Sequence, residues 1–235
     1  MNARIRAKRE VAQGTLMVEF DLLGQQVAFR PGQFFYVTLR DPPYNDERGP
    51  RRHFSIVSSP NERGVLALTT RLRDSAFKRS LRDLPIGAEA EVGPIAGRFT
   101  LPEDRSRPLV FIAGGIGITP FRSMLRYVQE ERLDYRITLL YANRDRGSAA
   151  FLDELEAMAA QNPYLRLVLT MTDEPAWGGE RRRIDAAFLR EYLGDPAAYV
   201  YYLAGPPAMV EAAAQALAEL GVDAAAVKKE NFVGY

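Results

Sequence analysis

The chain has 235 residues, with 31 Lys and Arg against 30 Asp and Glu and no cysteine. A hydrophobic fraction of 47% at that length fills the core of one large domain or two smaller ones, and a formal net charge of +1 leaves no electrostatic footprint for nucleic acid. Missing thiols exclude disulfides, thiolate nucleophiles and cysteine-ligated zinc or iron–sulfur centres; one histidine, His53, excludes any metal site that needs two. No metal centre is expected, and any redox chemistry falls to an organic cofactor. The longest uncharged stretches, Pro108 to Phe121 and Pro196 to Val210, fall short of the roughly 18 residues of a membrane span. The N-terminus is charged with no apolar run behind it, so a cytoplasmic protein without a membrane span is expected.

Up to Leu101 the pattern is β-rich. Runs at Thr15 to Leu23, Gln33 to Arg40, Arg52 to Ser58, Val65 to Leu72 and Ala88 to Val92 are divided by Gly, Pro, Asn and Asp turns, with a helical stretch near Ser75 to Leu84. Short strands at that spacing predict a small antiparallel barrel or sandwich over 1–101. Residues 102–108, polar and bounded by Pro102 and Pro108, read as a linker. From 109 to 235 apolar strands alternate with helices. Leu109 to Ala113 precedes Pro120 to Glu130, Ile137 to Ala142 precedes Ala149 to Ala160, Leu165 to Met171 precedes Ala186 to Leu193, and Tyr199 to Ala204 precedes Ala208 to Leu220. That alternation predicts an α/β domain with a doubly wound parallel sheet.

The strongest local signal is Phe111 to Pro120, an apolar strand that runs into Gly114, Gly115 and Gly117. Thr119 reads as an N-cap and Pro120 as the first helical residue, so free N–H groups and a partial positive charge would face a pyrophosphate. In the β-rich half, alternation puts Arg52 and Phe54 on one strand face, a cation beside a flat ring. His53 between them reads by itself as a packed or hydrogen-bonded histidine. Ser75, ahead of Ala76 and Phe77, reads as another N-cap, with Arg71 and Lys78 nearby.

These motifs resemble the ferredoxin–NADP⁺ reductase superfamily, which joins an FAD-binding β-barrel to an NAD(P)-binding α/β domain. Arg52-His53-Phe54-Ser55 resembles its Arg-x-Tyr/Phe-Ser flavin motif, and Thr69-Thr70-Arg71 with Ser75-Ala76-Phe77 resembles the strand and helix start that hold the flavin edge and its pyrophosphate. Gly93-Pro94-Ile95-Ala96-Gly97-Arg98-Phe99 is similar to the barrel exit. Gly114-Gly115-Ile116-Gly117-Ile118-Thr119-Pro120 is similar to the nicotinamide-nucleotide turn, and Gly205-Pro206-Pro207 to the later proline loop, with Ala204 where relatives commonly carry cysteine.

The resemblance implies FAD held by Arg52, His53, Phe54, Ser55, Thr70, Arg71, Ser75, Ala76 and Phe77, with Ser55 near the hydride-accepting nitrogen. It implies NADPH or NADH on Gly114, Gly115, Gly117, Thr119, Pro120, Asn143, Arg144, Gly205, Pro206 and Pro207. Glu230 would orient the nicotinamide, and Phe232 or Tyr235 would lie against the flavin. The implied activity is an NAD(P)H-dependent flavoprotein reductase serving a separate acceptor such as ferredoxin, flavodoxin or an oxygenase component. Reduction of small acceptors such as free flavin or ferric chelates, and a non-catalytic flavin-binding subunit, stay open beside it. Coenzyme choice sets Arg144, Arg146 and the run Arg181 to Arg183 against Asp173 and Glu174, and the arginines tilt it toward NADPH.

Overall fold

The computed structural model describes residues 1–233 and divides them into two compact units. The first is an antiparallel sheet of β1 (Asn2–Ala12), β2 (Thr15–Asp21), β3 (Phe34–Leu39), β4 (Arg51–Ser55), β5 (Val65–Arg71) and β6 (Glu89–Ala96), in the order β4-β3-β6-β1-β2-β5. Its two edges meet just past β4, where the Val57 N–H donates to the Ala67 carbonyl at 2.9 Å and the Ala67 N–H to Ser58 Oγ at 3.1 Å, so the sheet curls into a barrel. Phe20, Phe35, Val37, Leu66, Leu68 and Val92 fill it. Burying such side chains is worth about 1.5–3 kcal/mol each. The strand β1, absent from the sequence expectation, turns only Ala3 and Ile5 inward while its charged residues face outward, so its composition hides its period of two.

A single helix, α1 (Ala76–Asp83), follows β5. Ser75 caps it by accepting the Lys78 N–H at 3.3 Å, and Lys8 Nζ donates to the Arg82 carbonyl at 2.6 Å near its other end.

The second unit is a parallel sheet of β7 (Leu109–Gly114), β8 (Ile137–Asn143), β9 (Leu165–Met171), β10 (Val200–Gly205) and β11 (Val227–Asn231), ordered β11-β10-β7-β8-β9. The helices α2 (Ile118–Glu130), α3 (Leu152–Gln161), α4 (Ala186–Leu193) and α5 (Pro207–Glu219) connect its strands. Chain order reverses between β7 and β10, which fixes the topological switch point of the sheet. None of the helices among the described residues is long and apolar enough to cross a membrane.

Two expectations about elements change. The helix after β8 begins at Leu152 instead of Ala149, because the Ser148 N–H bonds Asp145 Oδ1 at 2.8 Å and the Ala149 N–H bonds the Arg146 carbonyl at 3.0 Å, holding the chain in a turn. Residues 102–108 group with the second unit: the Tyr135 hydroxyl donates to the Pro102 carbonyl at 2.5 Å and Arg136 to the Ser106 carbonyl at 2.8 Å. The Thr119–Tyr127 part of α2, in contrast, groups with the barrel. There Arg122 Nη1 donates to the Val57 carbonyl at 2.8 Å, Ser123 Oγ to the Ser58 carbonyl at 2.6 Å, and Phe121 packs 5.7 Å from Phe99.

Candidate nucleotide and flavin sites

On the parallel unit, the candidate site is the carboxyl edge of the sheet. There the turn after β7 and the turn after β10 press together. A Cβ on Gly117 would stand 2.1 Å from the Ala204 carbonyl oxygen, and one on Gly114 would stand 2.4 Å from Met209 Cε and 3.1 Å from Pro206 Cδ. Gly117 is therefore required for backbone to pass backbone, while Gly114 makes room for the Met209 and Pro206 side chains. Gly115 serves the turn differently: at φ +52 it takes the left-handed conformation that starts a short 3₁₀ turn over Gly115–Gly117.

That turn corrects the expected cap. The helix α2 begins at Ile118, so Thr119 is a buried first-turn residue and Pro120 the third residue of the helix. The 3₁₀ turn winds straight into α2 and leaves no extended residue to act as Ncap. Pro120 stays within the first turn, where a missing N–H breaks no intrahelical bond. The helix start still faces the edge, as expected of an anion-attracting terminus.

Next along the edge is Asn143, the last residue of β8. It is only 6% exposed, and neither its amide oxygen nor its nitrogen has a hydrogen-bond partner. An amide buried with both groups unmet costs a few kcal/mol, so it is a strong mark of a ligand contact. Beyond it β8 and β9 stay joined: the Thr172 N–H donates to the Asn143 carbonyl at 2.9 Å and the Asp173 N–H to the Arg144 carbonyl at 2.8 Å. Among the described residues the Arg144 guanidinium and the Asp173 carboxylate each lack a side-chain partner.

Trp177, which the sequence reading passed over, packs under Arg146 with the guanidinium carbon 5.4 Å from the ring centroid, and its indole N–H is buried without a partner. Its being the one tryptophan of the chain was the available signal. The basic run beyond is less available than its sequence suggests. Arg182 is bound to Glu180 and to Glu191 at 2.9 Å, and the Glu180 carboxyl is held down to about 2, chiefly by its hydrogen bond from Arg182.

The C-terminal strand closes this edge. In register, Glu230 lies beside Ala204, and the Phe232 N–H donates to the Gly205 carbonyl at 2.9 Å. Phe232 is buried. Gly205, Pro206 and Pro207 form the β10–α5 turn, with Pro207 opening α5. Tyr235, the other candidate aromatic, lies outside the described residues.

On the barrel unit, Arg52, Phe54 and the start of α1 come together as expected. The Arg52 guanidinium carbon is 5.4 Å from the Phe77 ring centroid, and Phe54 and Phe77 are 5.7 Å apart. Phe54, however, is not an open platform. It is 4% exposed and belongs to the barrel core, because β4 turns this face inward. Arg52 is also less free than its motif implied, since Nη1 donates to the carbonyls of Arg48, Gly49 and Arg51 at 2.7–2.9 Å and Nη2 to Asp46 at 3.2 Å. Asp46 sits in the β3–β4 loop, where no periodicity exposes it.

His53 is placed on the opposite face of β4. It is exposed, with its ring 5.8 Å from Tyr36 and 5.4 Å from Phe34. The alternation that brings Arg52 and Phe54 together turns His53 outward, so the packed reading is corrected. Ser55 ends β4 and is buried; Thr70 and Arg71 end β5, with Thr70 buried and Arg71 half-buried; Ala76 opens α1. No cluster of three or more metal-ligating side chains occurs among the described residues.

A curled antiparallel barrel with a basic helix start, followed by a doubly wound sheet whose carboxyl edge carries a glycine junction and a helix N-terminus, defines the class of flavin- and nicotinamide-nucleotide oxidoreductases. The profile of the family described as Oxidoreductase NAD-binding domain matches residues 111–215. Among curated relatives, a flavohemoprotein of Bordetella pertussis is 30% identical over 87% of this chain and 53% of its own length. The phenol 2-monooxygenase reductase component DmpP of Pseudomonas is 28% identical over 81% of this chain and 54% of its own. The crystal structure of the cytochrome P450 reductase GcoB of Amycolatopsis superimposes with a TM-score of 0.83, at 25% identity, over 99% of this chain and 70% of that one. The chain thus spans about half the length of those two curated relatives. Its two-unit fold is that of the ferredoxin reductase-like FAD- and NAD-binding proteins, and residues 111–215 match the oxidoreductase NAD-binding domain.

Proposed function

We propose that the chain is an NAD(P)H-dependent flavoprotein reductase that holds FAD on its barrel unit and the nicotinamide dinucleotide on its parallel unit, and serves a separate electron acceptor. The observation that carries the reading is the carboxyl edge of the parallel sheet, where the buried, unpartnered amide of Asn143 stands at the strand ends that the glycine junction and the start of α2 also border. A buried amide with a free donor and a free acceptor suits the hydroxyl groups of a ribose. The start of α2 and the Gly205-Pro206-Pro207 turn would hold pyrophosphate and nicotinamide, with Thr119 and Glu230 bordering them.

On the barrel, the start of α1 offers amides and a positive end for a pyrophosphate, and Arg52 adds a guanidinium once it exchanges Asp46 for phosphate. Ser55, Thr70 and Arg71 end the two strands that border the same region, and their hydroxyls and guanidinium would orient the flavin edge. FAD, when bound, supplies a ring that accepts a hydride and releases electrons one at a time. The protein contributes binding, orientation and exclusion of water.

The separate acceptor is proposed on two grounds. These 235 residues contain no cysteine to ligate an iron–sulfur cluster. The similar DmpP is named as the reductase component of an oxygenase system. The test is to purify the protein, extract and weigh the bound flavin, and add NADH or NADPH without oxygen. FAD in the extract and bleaching of its absorbance support the reading; FMN alone, or no bleaching with either coenzyme, refutes it. The ratio of kcat/KM for the two coenzymes, in wild type and in Arg144→Ala, sorts the arginine from Asp173. NADPH preference that the substitution removes assigns a 2′-phosphate to Arg144.

A further inference from the structure

The Arg52 guanidinium is nearly saturated by its own chain. Nη1, with two N–H groups, serves the carbonyls of Arg48, Gly49 and Arg51 at 2.9, 2.8 and 2.7 Å. Nη2 donates to Asp46 Oδ1 at 3.2 Å and approaches Oδ2 at 3.5 Å. The Phe77 ring at the start of α1 lies 5.4 Å from the guanidinium carbon. Of the donors on an arginine, this leaves Nε–H and one N–H of Nη2 for a phosphate. Arg52 thus ties the β3–β4 loop together through four of that loop's residues before it meets any ligand.

The Asp46 carboxylate is itself held in place. The Arg48 N–H donates to its Oδ1 at 3.0 Å and the Gly49 N–H to the Asp46 carbonyl at 2.9 Å, so the turn over 46–49 presents the carboxylate to the guanidinium independently of Arg52. The Arg52 and Asp46 side chains are 17% and 31% exposed, and water screens the pair only in part. Within it the carboxylate cancels the charge that a phosphate would seek. The three carbonyls are neutral and can keep their bonds to Nη1 beside any ligand. The bond from Nη2 to Asp46 is the exchangeable one, because its acceptor carries the same sign of charge as a phosphate and its distances are the longest of the set. A phosphate that takes Nη2 displaces the carboxylate from its hydrogen bond and then stands beside it, like charge against like.

We propose that Asp46 is an internal counter-anion that competes with the flavin phosphates for Arg52 and so sets how tightly the barrel retains FAD. The inference rests on the flavin reading of the barrel and adds to it a residue that opposes binding. Its consequence is a flavin held less tightly than the donors around it would hold it alone.

The experiment uses Asp46→Asn, which keeps an oxygen to accept from Nη2 and from the Arg48 N–H and removes only the charge. Dissociation constants of wild type and variant, each stripped of bound flavin, are measured by flavin fluorescence for FAD and for riboflavin, which has no phosphate. The variant is expected to bind FAD about tenfold more tightly, the gain of one charge-assisted contact, with riboflavin unchanged. Its FAD affinity should also fall more steeply with added salt, because the charge on Arg52 is then uncompensated. Thermal unfolding checks the fold, and Asp46→Ser, whose hydroxyl can still accept the Arg48 N–H, replaces the amide if that variant is unstable. FAD affinity unchanged or weakened in the folded variant, or FAD and riboflavin tightening together, overturns the competition. Wild type that binds neither flavin refutes the flavin reading and the inference with it, whereas wild type that binds FAD beside a variant that gains nothing refutes the inference alone.

Discussion

Alanine in place of Gly117 puts a methyl group where there is no room. Its Cβ would stand 2.1 Å from the Ala204 carbonyl oxygen, 2.4 Å from the Ala204 carbonyl carbon and 2.7 Å from Gly205 Cα. All three are backbone atoms of the β10–α5 turn, so no side chain can rotate aside, and β10 is held on both flanks by β7 and β11. Overpacking of this kind costs about 1–3 kcal/mol, and a purely backbone collision belongs at the upper end. For a chain of this size each kcal/mol lowers the melting temperature by about 2–4 °C, so Gly117→Ala should melt about 6–12 °C below wild type. Gly178→Ala, where no atom lies within 4 Å of the added Cβ, serves as the control and should melt with wild type. Calorimetry or far-ultraviolet dichroism reads both. A Gly117→Ala protein that melts with wild type but loses coenzyme binding would refute the packing argument and return the glycine to the nucleotide.

Ser75→Ala removes the acceptor for the Lys78 N–H and should cost about 1 kcal/mol in chemical denaturation, together with a weaker hold on flavin. The depressed carboxyl of Glu180 makes its pairing with Arg182 a stabilising term that is complete above the ordinary glutamate range and is lost as pH falls toward about 2. Melting temperatures measured from pH 5 to pH 2 should therefore fall more steeply for wild type than for Glu180→Gln, and parallel curves would dismiss the pair. Arg122→Met leaves the Val57 carbonyl without its buried donor and should cost about 2–3 kcal/mol, detectable as a lower denaturant midpoint.

Most of the fold was legible because strong patterns wrote it. The apolar runs at Leu109–Gly114 and Val200–Gly205 sit wholly or mostly buried inside a parallel sheet, where both faces are covered and polar residues have no place. The strand β1 was not legible for the opposite reason: one of its faces is charged and the other buries only two small or medium apolar groups. Of the candidate sites, the α1 cap was readable from Ser75 alone, since a capping hydroxyl is a local interaction three residues long. Asp46 was not, because its partner Arg52 is reached through a loop whose path depends on the Tyr44–Ser80 bonds across the barrel.

The glycine-turn residues are the most informative. Gly114 and Gly117 are placed at the nucleotide by resemblance, and around them stand Met209, Pro206 and the Ala204–Gly205 backbone. A glycine motif reports that something approaches the chain closely, and sequence cannot say whether that is a ligand or another strand. Here the close approach draws the ends of β7 and β10 together at the switch point of the sheet. On the proposed function, the glycines would act on a bound nucleotide through the shape of the surface it rests on. Conservative changes at them should move stability and coenzyme affinity together, whereas Asn143→Ala, which removes a buried amide that no protein group satisfies, should cost coenzyme affinity while leaving stability unchanged or raised. Differential scanning calorimetry beside coenzyme titration separates the two. A destabilised Asn143→Ala protein with unaltered coenzyme affinity would show that the amide serves the fold and that the ribose lies elsewhere along the edge.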